Sequence, residues 1–477
     1  MISYPPFKGR GSPMLTQNRQ FQWYHEPSYI YPVVMASAAT LLKNNGHNVI
    51  WNDCIAEKIE WSEFLTLVKK EKPDLLVFET KTPVIKQHWR IINRIKKDYP
   101  DIRIALLGDH VTALPKESMQ SCLVDSILTG GDYDTMLLGL VNHLKNSKPL
   151  PPGVWYRKKR KIVSSGPYGL TKNLNTLPQI NRTLTKAYLY GEKWKKRTPF
   201  FYTMAGRDCW WRKCTFCSWT TLFPTFRTRT PENLLDEVGC LIERFNAHEI
   251  FDDTGTFPIG PWLNTFCHGM IKRGYNKKIL FSANMRFGYL DKKTLLLMKK
   301  AGFRKLKIGL ESGNQKTLDK LQKGITIEQI KKDCKMISEI GLDIHLTIMV
   351  GYPWETKEDA LHTYALAKEL MEKGYIDMLQ STIVIPYPGT PLYEDAIENQ
   401  WFTVKPNDYE SFDMSRPILK TPDMIPSEIE ETCRAIYALH FNPKFIMHRL
   451  KKTWSINMIP YYIRGLQSMI GHRKDFS

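Results

Sequence analysis

Gly206-Arg207-Asp208-Cys209-Trp210-Trp211-Arg212-Lys213-Cys214-Thr215-Phe216-Cys217-Ser218-Trp219 carries three of the chain's nine cysteines. Three thiolates on one short loop can take three irons of a 4Fe-4S cubane and leave the fourth iron open to an outside ligand. Zinc is the competing reading, but a structural zinc takes four ligands, and no fourth follows at ordinary spacing. Incidental proximity is the third. A buried cluster is negatively charged, so basic residues are expected nearby; Arg207, Arg212 and Lys213 are the sequence candidates, with Phe216 and Trp219 placed to keep water away. The other cysteines, Cys54, Cys122, Cys240, Cys267, Cys334 and Cys433, are scattered. The opening Met1-Ile2-Ser3-Tyr4-Pro5-Pro6 has no basic leader running into an apolar stretch, so free thiols in a reducing cytoplasm are expected, not a disulfide framework.

Outward from this loop the chain alternates strand and helix patterns. Strands are expected at Phe200 to Met204, His248 to Phe251, Ile279 to Ala283, Lys305 to Leu310, Ile344 to Val350 and Met378 to Ile385. Helices are expected at Pro231 to Phe245, Asp291 to Ala301, Gln315 to Leu321, Ile327 to Ile340 and Lys357 to Lys373. Six such units make an open, partial (β/α)6 barrel, whose chemistry belongs at the C-terminal strand ends. The cysteine loop directly follows the first of these strands.

Upstream, residues 33 to 145 alternate in the same way. A helix from Val33 to Asn45 stops at Gly46. Val49-Ile50-Trp51, Leu75 to Phe78 and Ile102 to Gly108 read as strands, and Trp61 to Lys70, His88 to Lys97 and Thr135 to Leu144 as helices. This is an α/β, doubly wound parallel sheet, with its ligand expected at the loops after the strands. The chain thus divides into 1–150, a basic irregular linker over 151–199, the barrel over 200–400 and a C-terminal extension over 401–477.

The net charge of +20 is concentrated. It is +3 over residues 1–150, +11 over 151–200, zero over 201–439 and +6 over 440–477. Such segments could meet an acidic substrate, nucleic acid or an anionic membrane, or simply be solvated. The tail mixes Lys444, Arg449, Lys451 and Lys452 with Phe445, Ile446, Trp454, Tyr461 and Tyr462. That mixture suits a basic helical element touching a membrane surface or a hydrophobic substrate, or a helix packed on the barrel. No apolar run approaches the ~20 residues of a membrane span.

The cysteine loop resembles the motif of the radical S-adenosylmethionine (SAM) superfamily, although it has four residues in the first gap where the usual motif has three. Asp252-Asp253-Thr254, Ser282 to Arg286, Gly309-Leu310-Glu311-Ser312-Gly313, Met349 to Thr356 and Pro386 to Tyr393 look like family landmarks in family order. The resemblance implies a cluster on Cys209, Cys214 and Cys217, with SAM chelated to it and held by Ser282, Arg286, Glu311 and Asp253. An ion pair with a lysine such as Lys307 is the alternative role for Glu311, and a structural role is equally open for Asp253. Gly351 and Pro353 read as turn-formers.

The N-terminal domain is similar to the cobalamin-binding domain that precedes the barrel in one large subgroup. Tyr4-Pro5-Pro6, Asp53, Gly108 to Pro115 and Gly130-Gly131-Asp132 carry the likeness. It implies cobalamin near Gly108, Thr112 and Gly130, bound without a cobalt-ligating histidine, since the Asp-x-His-x-x-Gly signature is missing. His110 is expected to be a loop hydrogen-bonder. No catalytic residue beyond these is assigned.

These resemblances imply an enzyme that uses a 4Fe-4S cluster, SAM and cobalamin to methylate an unactivated carbon of a small-molecule or lipid substrate. A SAM-derived radical would abstract the hydrogen, and an electron donor such as flavodoxin or ferredoxin would reduce the cluster. Oxidative cyclisation or rearrangement is the alternative. RNA modification is disfavoured, because the tRNA-methylthiolating relatives have a second cysteine trio where residues 1–150 hold only Cys54 and Cys122. A cytoplasmic location, with the membrane periphery as the alternative, completes the reading. Loops Gly108 to Leu114 and Cys209 to Trp219 are expected to face one shared cavity.

Overall fold

A computed structural model describes residues 1–15, 21–453 and 459–476. Trp454 of the tail lies outside them. The first domain is a seven-stranded sheet in which Trp51–Asp53, Ile2–Tyr4, Leu75–Thr80, Arg103–Gly108 and Ser126–Leu128 lie side by side in parallel. In chain order this is 2-1-3-4-5, the doubly wound arrangement in which a ligand crevice opens beyond the carboxyl ends of the strands. Helices Val33–Asn44, Trp61–Glu71, Ile85–Asp98 and Tyr133–Asn146 follow the expected pattern closely. Ile2–Tyr4 and Ser126–Leu128 were not legible as strands, because three residues are too few to show a period.

The linker expected to be irregular is partly regular. Val154–Lys158 and Lys161–Ser164 form a hairpin that adds two antiparallel strands to the sheet's edge. Its basic character misled the reading: Lys158, Lys159, Arg160 and Lys161 sit at an exposed hairpin tip, as suits an edge. Downstream, the linker's cations are drawn into ion pairs that stitch it to both domains. Arg182 meets Glu237 at 2.5 Å, Lys186 meets Glu57 at 2.5 Å, Lys196 meets Asp343 at 2.6 Å, and Lys193 meets Glu26.

The second sheet has six parallel strands in chain order: Phe200–Thr203, Glu249–Asp252, Leu280–Met285, Phe303–Glu311, Asp343–Val350 and Met378–Ile383. All six expected strands and all five expected helices are present within a few residues. Threonine caps start several of these helices; Thr230 Oγ1, for instance, accepts from Asn233 N just before Pro231. Helix Pro261–Lys272 was missed, since Gly260-Pro261 reads as a turn and Gly269 breaks the pattern. Gly269 is there for close packing, because a Cβ would stand 2.2 Å from Leu235.

The sheet does not close on itself, and its open side is covered by other parts of the chain. A short hairpin, Ser12–Pro13 with Trp23–Tyr24, leads into residues that bond both flanks. Phe21 accepts from Met414 N at 3.1 Å, and Tyr29 accepts from Gly191 N at 2.9 Å. Helix Ile459–Asp475 seals the same side: buried Asp475 accepts from His25 N at 2.9 Å and lies 2.8 Å from His25 Nδ1.

Candidate active site

The barrel encloses a cavity of about 290 Å³. Cys209, Cys214 and Cys217 all line it, together with Phe216, Trp219, Asp253, Arg286 and Glu311. Each cysteine is free. The loop is held from several directions: Thr215 N donates to Leu321 O at 3.2 Å, Leu392 N to Thr215 O at 3.0 Å, and Trp211 Nε1 to Gln322 O at 2.8 Å. Beneath it Phe216 packs with Leu321, Met349, Tyr352, Val384 and Leu392, and Cys214 and Cys217 rest against this apolar group.

Burial raises the Cys214 and Cys217 thiols, and an iron bound to each would hold it as the thiolate. Among the described residues no three His, Cys, Asp or Glu side chains converge as on one metal ion. A mononuclear zinc needs such convergence, whereas a cubane takes each thiolate on a separate iron. The donors present therefore suit the cluster better than zinc.

The expected counter-charges are elsewhere. Arg207 turns away to bond Asp132 at 2.7 Å and Asp134, Arg212 donates to Pro224 O at 2.5 Å, and Lys213 lies 5.0 Å over the Trp211 ring. Each has a nearer partner than the cavity. The cations that do line it are Arg286, Lys307 and Lys323. Lys323 has no sequence signature, because it enters from the turn after helix Gln315–Lys320. Burial lowers its pKa, but Glu311 and Cys214 outweigh that and hold the ammonium charged.

Glu311 is buried, has φ +65°, and pairs with Lys323 Nζ at 2.6 Å. The ion-pair partner the structure gives it is thus Lys323. Gly309 makes room for this arrangement, since a Cβ there would lie 1.9 Å from Glu311 Oε1. Arg286 is buried, with its guanidinium 3.9 Å over Trp211, and its Nε and one Nη have no hydrogen-bond partner. Two unsatisfied donors on a buried cation are costly and mark a place for an anionic group.

Ser282 shares a strand face with Asn284. It is fully buried, its hydroxyl has no hydrogen-bond partner, and Asn284 is the residue of the pair that reaches the cavity. Asp253 also lines the cavity. Its neighbour Asp252 organises the loop, accepting from Thr203 Oγ1, Ala205 N and Thr254 N at 2.8 to 3.1 Å. Thr256 was missed altogether, yet its hydroxyl lies 2.9 Å from Cys209 Sγ.

The single cavity expected for both domains is instead two. Thr112, Ala113, Leu114, Thr129, Trp155 and Tyr168 surround a more open one of about 710 Å³ at the strand ends of the first domain. Helix Trp219–Leu222 stands between them: Trp219 lines the barrel cavity, while Tyr168 OH donates to Thr221 O at 2.9 Å. The two loops do approach each other, but through packing. Gly131 receives Phe223, whose ring would be 2.2 Å from a Cβ there.

Thr112 Oγ1 donates to Gly108 O at 2.7 Å and accepts from Gly130 N at 3.1 Å, so the three residues expected at the cofactor form one hydrogen-bonded unit. Gly108 itself serves strand approach, since a Cβ would stand 2.1 Å from Thr80 O. His110 is fully buried in the short helix Asp109–Ala113, where its Nδ1 lies 3.2 Å from Thr82 Oγ1, while its Nε2, 3.3 Å from Glu117, makes no hydrogen bond.

Comparisons with known proteins agree with this organisation. Residues 205–367 match the Radical SAM superfamily. An uncharacterized methyltransferase of Pyrococcus horikoshii is 26% identical over 91% of this chain and 93% of its own length. The anaerobic magnesium-protoporphyrin IX monomethyl ester cyclase of Rubrivivax gelatinosus is 25% identical over 88% of this chain and 76% of its own. Among solved folds, the radical SAM methyltransferase TsrM from Kitasatospora setae superposes with a TM-score of 0.68 at 14% identity, covering 92% of this chain and 89% of that one. The cobalamin-dependent radical SAM enzyme OxsB gives 0.66 at 14% identity, over 92% and 69%.

Removing the Arg286 guanidinium should weaken SAM binding selectively. A charged hydrogen bond is worth about 1.5–3 kcal/mol, so Arg286→Ala should raise the SAM dissociation constant roughly 10- to 150-fold while the cluster's absorbance stays. Isothermal titration of the reconstituted protein measures this, and unchanged affinity would remove Arg286 from the site. Barrel, cysteine loop and family match converge on residues 205–367, which match the radical SAM superfamily, with a parallel-sheet domain ahead of the barrel.

Proposed function

We propose that the chain is a cobalamin-dependent radical SAM methyltransferase acting on an unactivated carbon of a small-molecule or lipid substrate. The observation that carries the reading is the single cavity on which the three cysteines, Arg286 and the Glu311–Lys323 pair meet. When bound, the cluster supplies the electron that cleaves SAM, and cobalamin supplies a methyl group. Cys209, Cys214 and Cys217 would hold the cluster. Arg286 would take the carboxylate of SAM, and Glu311, kept in place by Lys323, its ammonium or ribose hydroxyls. Phe216 and the apolar group beneath it exclude water from the cluster side. A flavodoxin or ferredoxin delivers the electrons.

The neighbouring 710 Å³ cavity offers Thr129 and Thr112, to which Gly130 N donates, for cobalamin. His110 is already engaged and buried, so the first domain supports a cobalamin without a histidine ligand. Nucleic acid is not part of the reading: Arg182, Lys186, Lys193 and Lys196 of the linker pair with Glu237, Glu57, Glu26 and Asp343.

Protein reconstituted anaerobically should bind about one cobalamin per chain, with a base-off spectrum that His110→Ala leaves unchanged. No binding, or a spectrum that shifts with the substitution, would refute the cobalamin assignment. The likeness to the cyclase over most of the chain supports ring formation as a second reading. SAM carrying a deuterated methyl group separates the two: methylation transfers the label to product, and cyclisation leaves it on the methionine released when SAM is cleaved.

A further inference from the structure

The outward face of the C-terminal helix has no task in this reading. Along Ile459–Asp475, Ile459, Ile463, Leu466 and Ile470 are each between 43% and 52% exposed. Their spacing of four, three and four residues puts them on one stripe. Single exposed aliphatic residues are ordinary, but a continuous stripe on one helix is not. The opposite face is buried through Tyr461, Gly465, Ser468 and Met469, so the helix is firmly seated and the stripe is not an unfolded remnant. Exposed Arg473 and Lys474 flank the stripe on either side near its end. Helix Pro443–Thr453 adds exposed Ile446, Met447 and Leu450 beside exposed Lys444 and Lys451.

We infer that this helix is a docking surface for an anionic membrane. An apolar stripe edged by cations is complementary to a bilayer interface, where aliphatic side chains enter the acyl boundary and basic ones meet acidic headgroups. The only acidic residue from 440 to 477 is Asp475, and it is buried against His25 and His472, so no carboxylate of this segment opposes that contact. No helix among the described residues is long and apolar enough to cross a membrane, which leaves surface attachment. The placement has a consequence for access. His472, on the inward side of the same helix, lines the barrel cavity, so docking would bring that cavity within about one helix diameter, roughly 10 Å, of the lipid surface.

Flotation of the full, cluster-reconstituted chain with vesicles tests this. Wild type should float with phosphatidylcholine containing about one third phosphatidylglycerol, and about tenfold less with phosphatidylcholine alone or in high salt. Ile463→Glu with Leu466→Glu should abolish flotation, and Arg473→Glu with Lys474→Glu should remove its lipid selectivity. Cluster absorbance and circular dichroism report whether these variants fold; if the first does not, the milder Ile463→Ser with Ile470→Ser should still lower the bound fraction several-fold. Wild type that stays free of anionic vesicles, or binding indifferent to the stripe, would overturn the inference. So would a concentration-dependent dimer in sedimentation that the stripe variants dissociate, which would assign the face to a second copy.

Discussion

Replacing any one of Cys209, Cys214 or Cys217 by alanine should abolish both the iron-sulfur absorbance and SAM cleavage, while Ala at Cys54, Cys122, Cys240, Cys267, Cys334 or Cys433 should spare both. With only three protein thiolates, losing one leaves an iron without its anchor. Cys214 and Cys217 lie against the apolar Phe216 cluster, which offers no replacement ligand. The six other cysteines lie apart from the cavity, and burial raises the Cys54, Cys122, Cys267, Cys334 and Cys433 thiols well above their ordinary value, as structural thiols in apolar surroundings. A full cluster in any one of the three loop variants would sink the assignment. Anaerobic absorbance and an assay of SAM cleavage products decide it.

The barrel was legible because its strands are long, apolar and bounded by good helix starts. Asp343–Val350 is buried almost throughout, as a parallel strand covered on both faces must be. The cysteine loop was legible because its chemistry sits in consecutive residues. What the sequence hid depends on separation along the chain. Lys323 reaches Glu311 from a turn, Thr256 reaches Cys209 across 47 positions, and Met14, Tyr24 and His472 close the barrel from opposite ends of the chain. No periodicity reports such meetings. Arg207 shows the reverse error: a basic residue beside a cysteine motif invites a local role, but buried carboxylates from the other domain are the stronger partners.

That last contact yields the second large effect. Arg207 follows the first barrel strand and immediately precedes Asp208 and Cys209, while its guanidinium reaches Asp132 and Asp134 of the first domain. Asp132 also takes Arg227 at 2.6 Å, and Asp134 accepts from Ser37 Oγ at 2.9 Å. All these charged groups are buried or nearly so. Burial alone would raise Asp132, but Arg207 and Arg227 outweigh it and hold the carboxyl below its ordinary value. Truncating one partner of such a network strands the others in low dielectric, at about 3–5 kcal/mol. Arg207→Ala should therefore lower the urea midpoint strongly and loosen the cysteine loop from the Gly130-Gly131-Asp132 turn. Arg207→Lys keeps the charge without the planar fork and should recover only part of the loss. The expected functional signature is a split: Arg207→Ala should weaken cobalamin binding and cluster retention together, because one side chain anchors the edges of both cavities. Stability within about 0.5 kcal/mol of wild type, the ordinary range for an inconsequential surface change, would show that the domains are held by apolar packing such as Gly131 against Phe223 and not by this charge network.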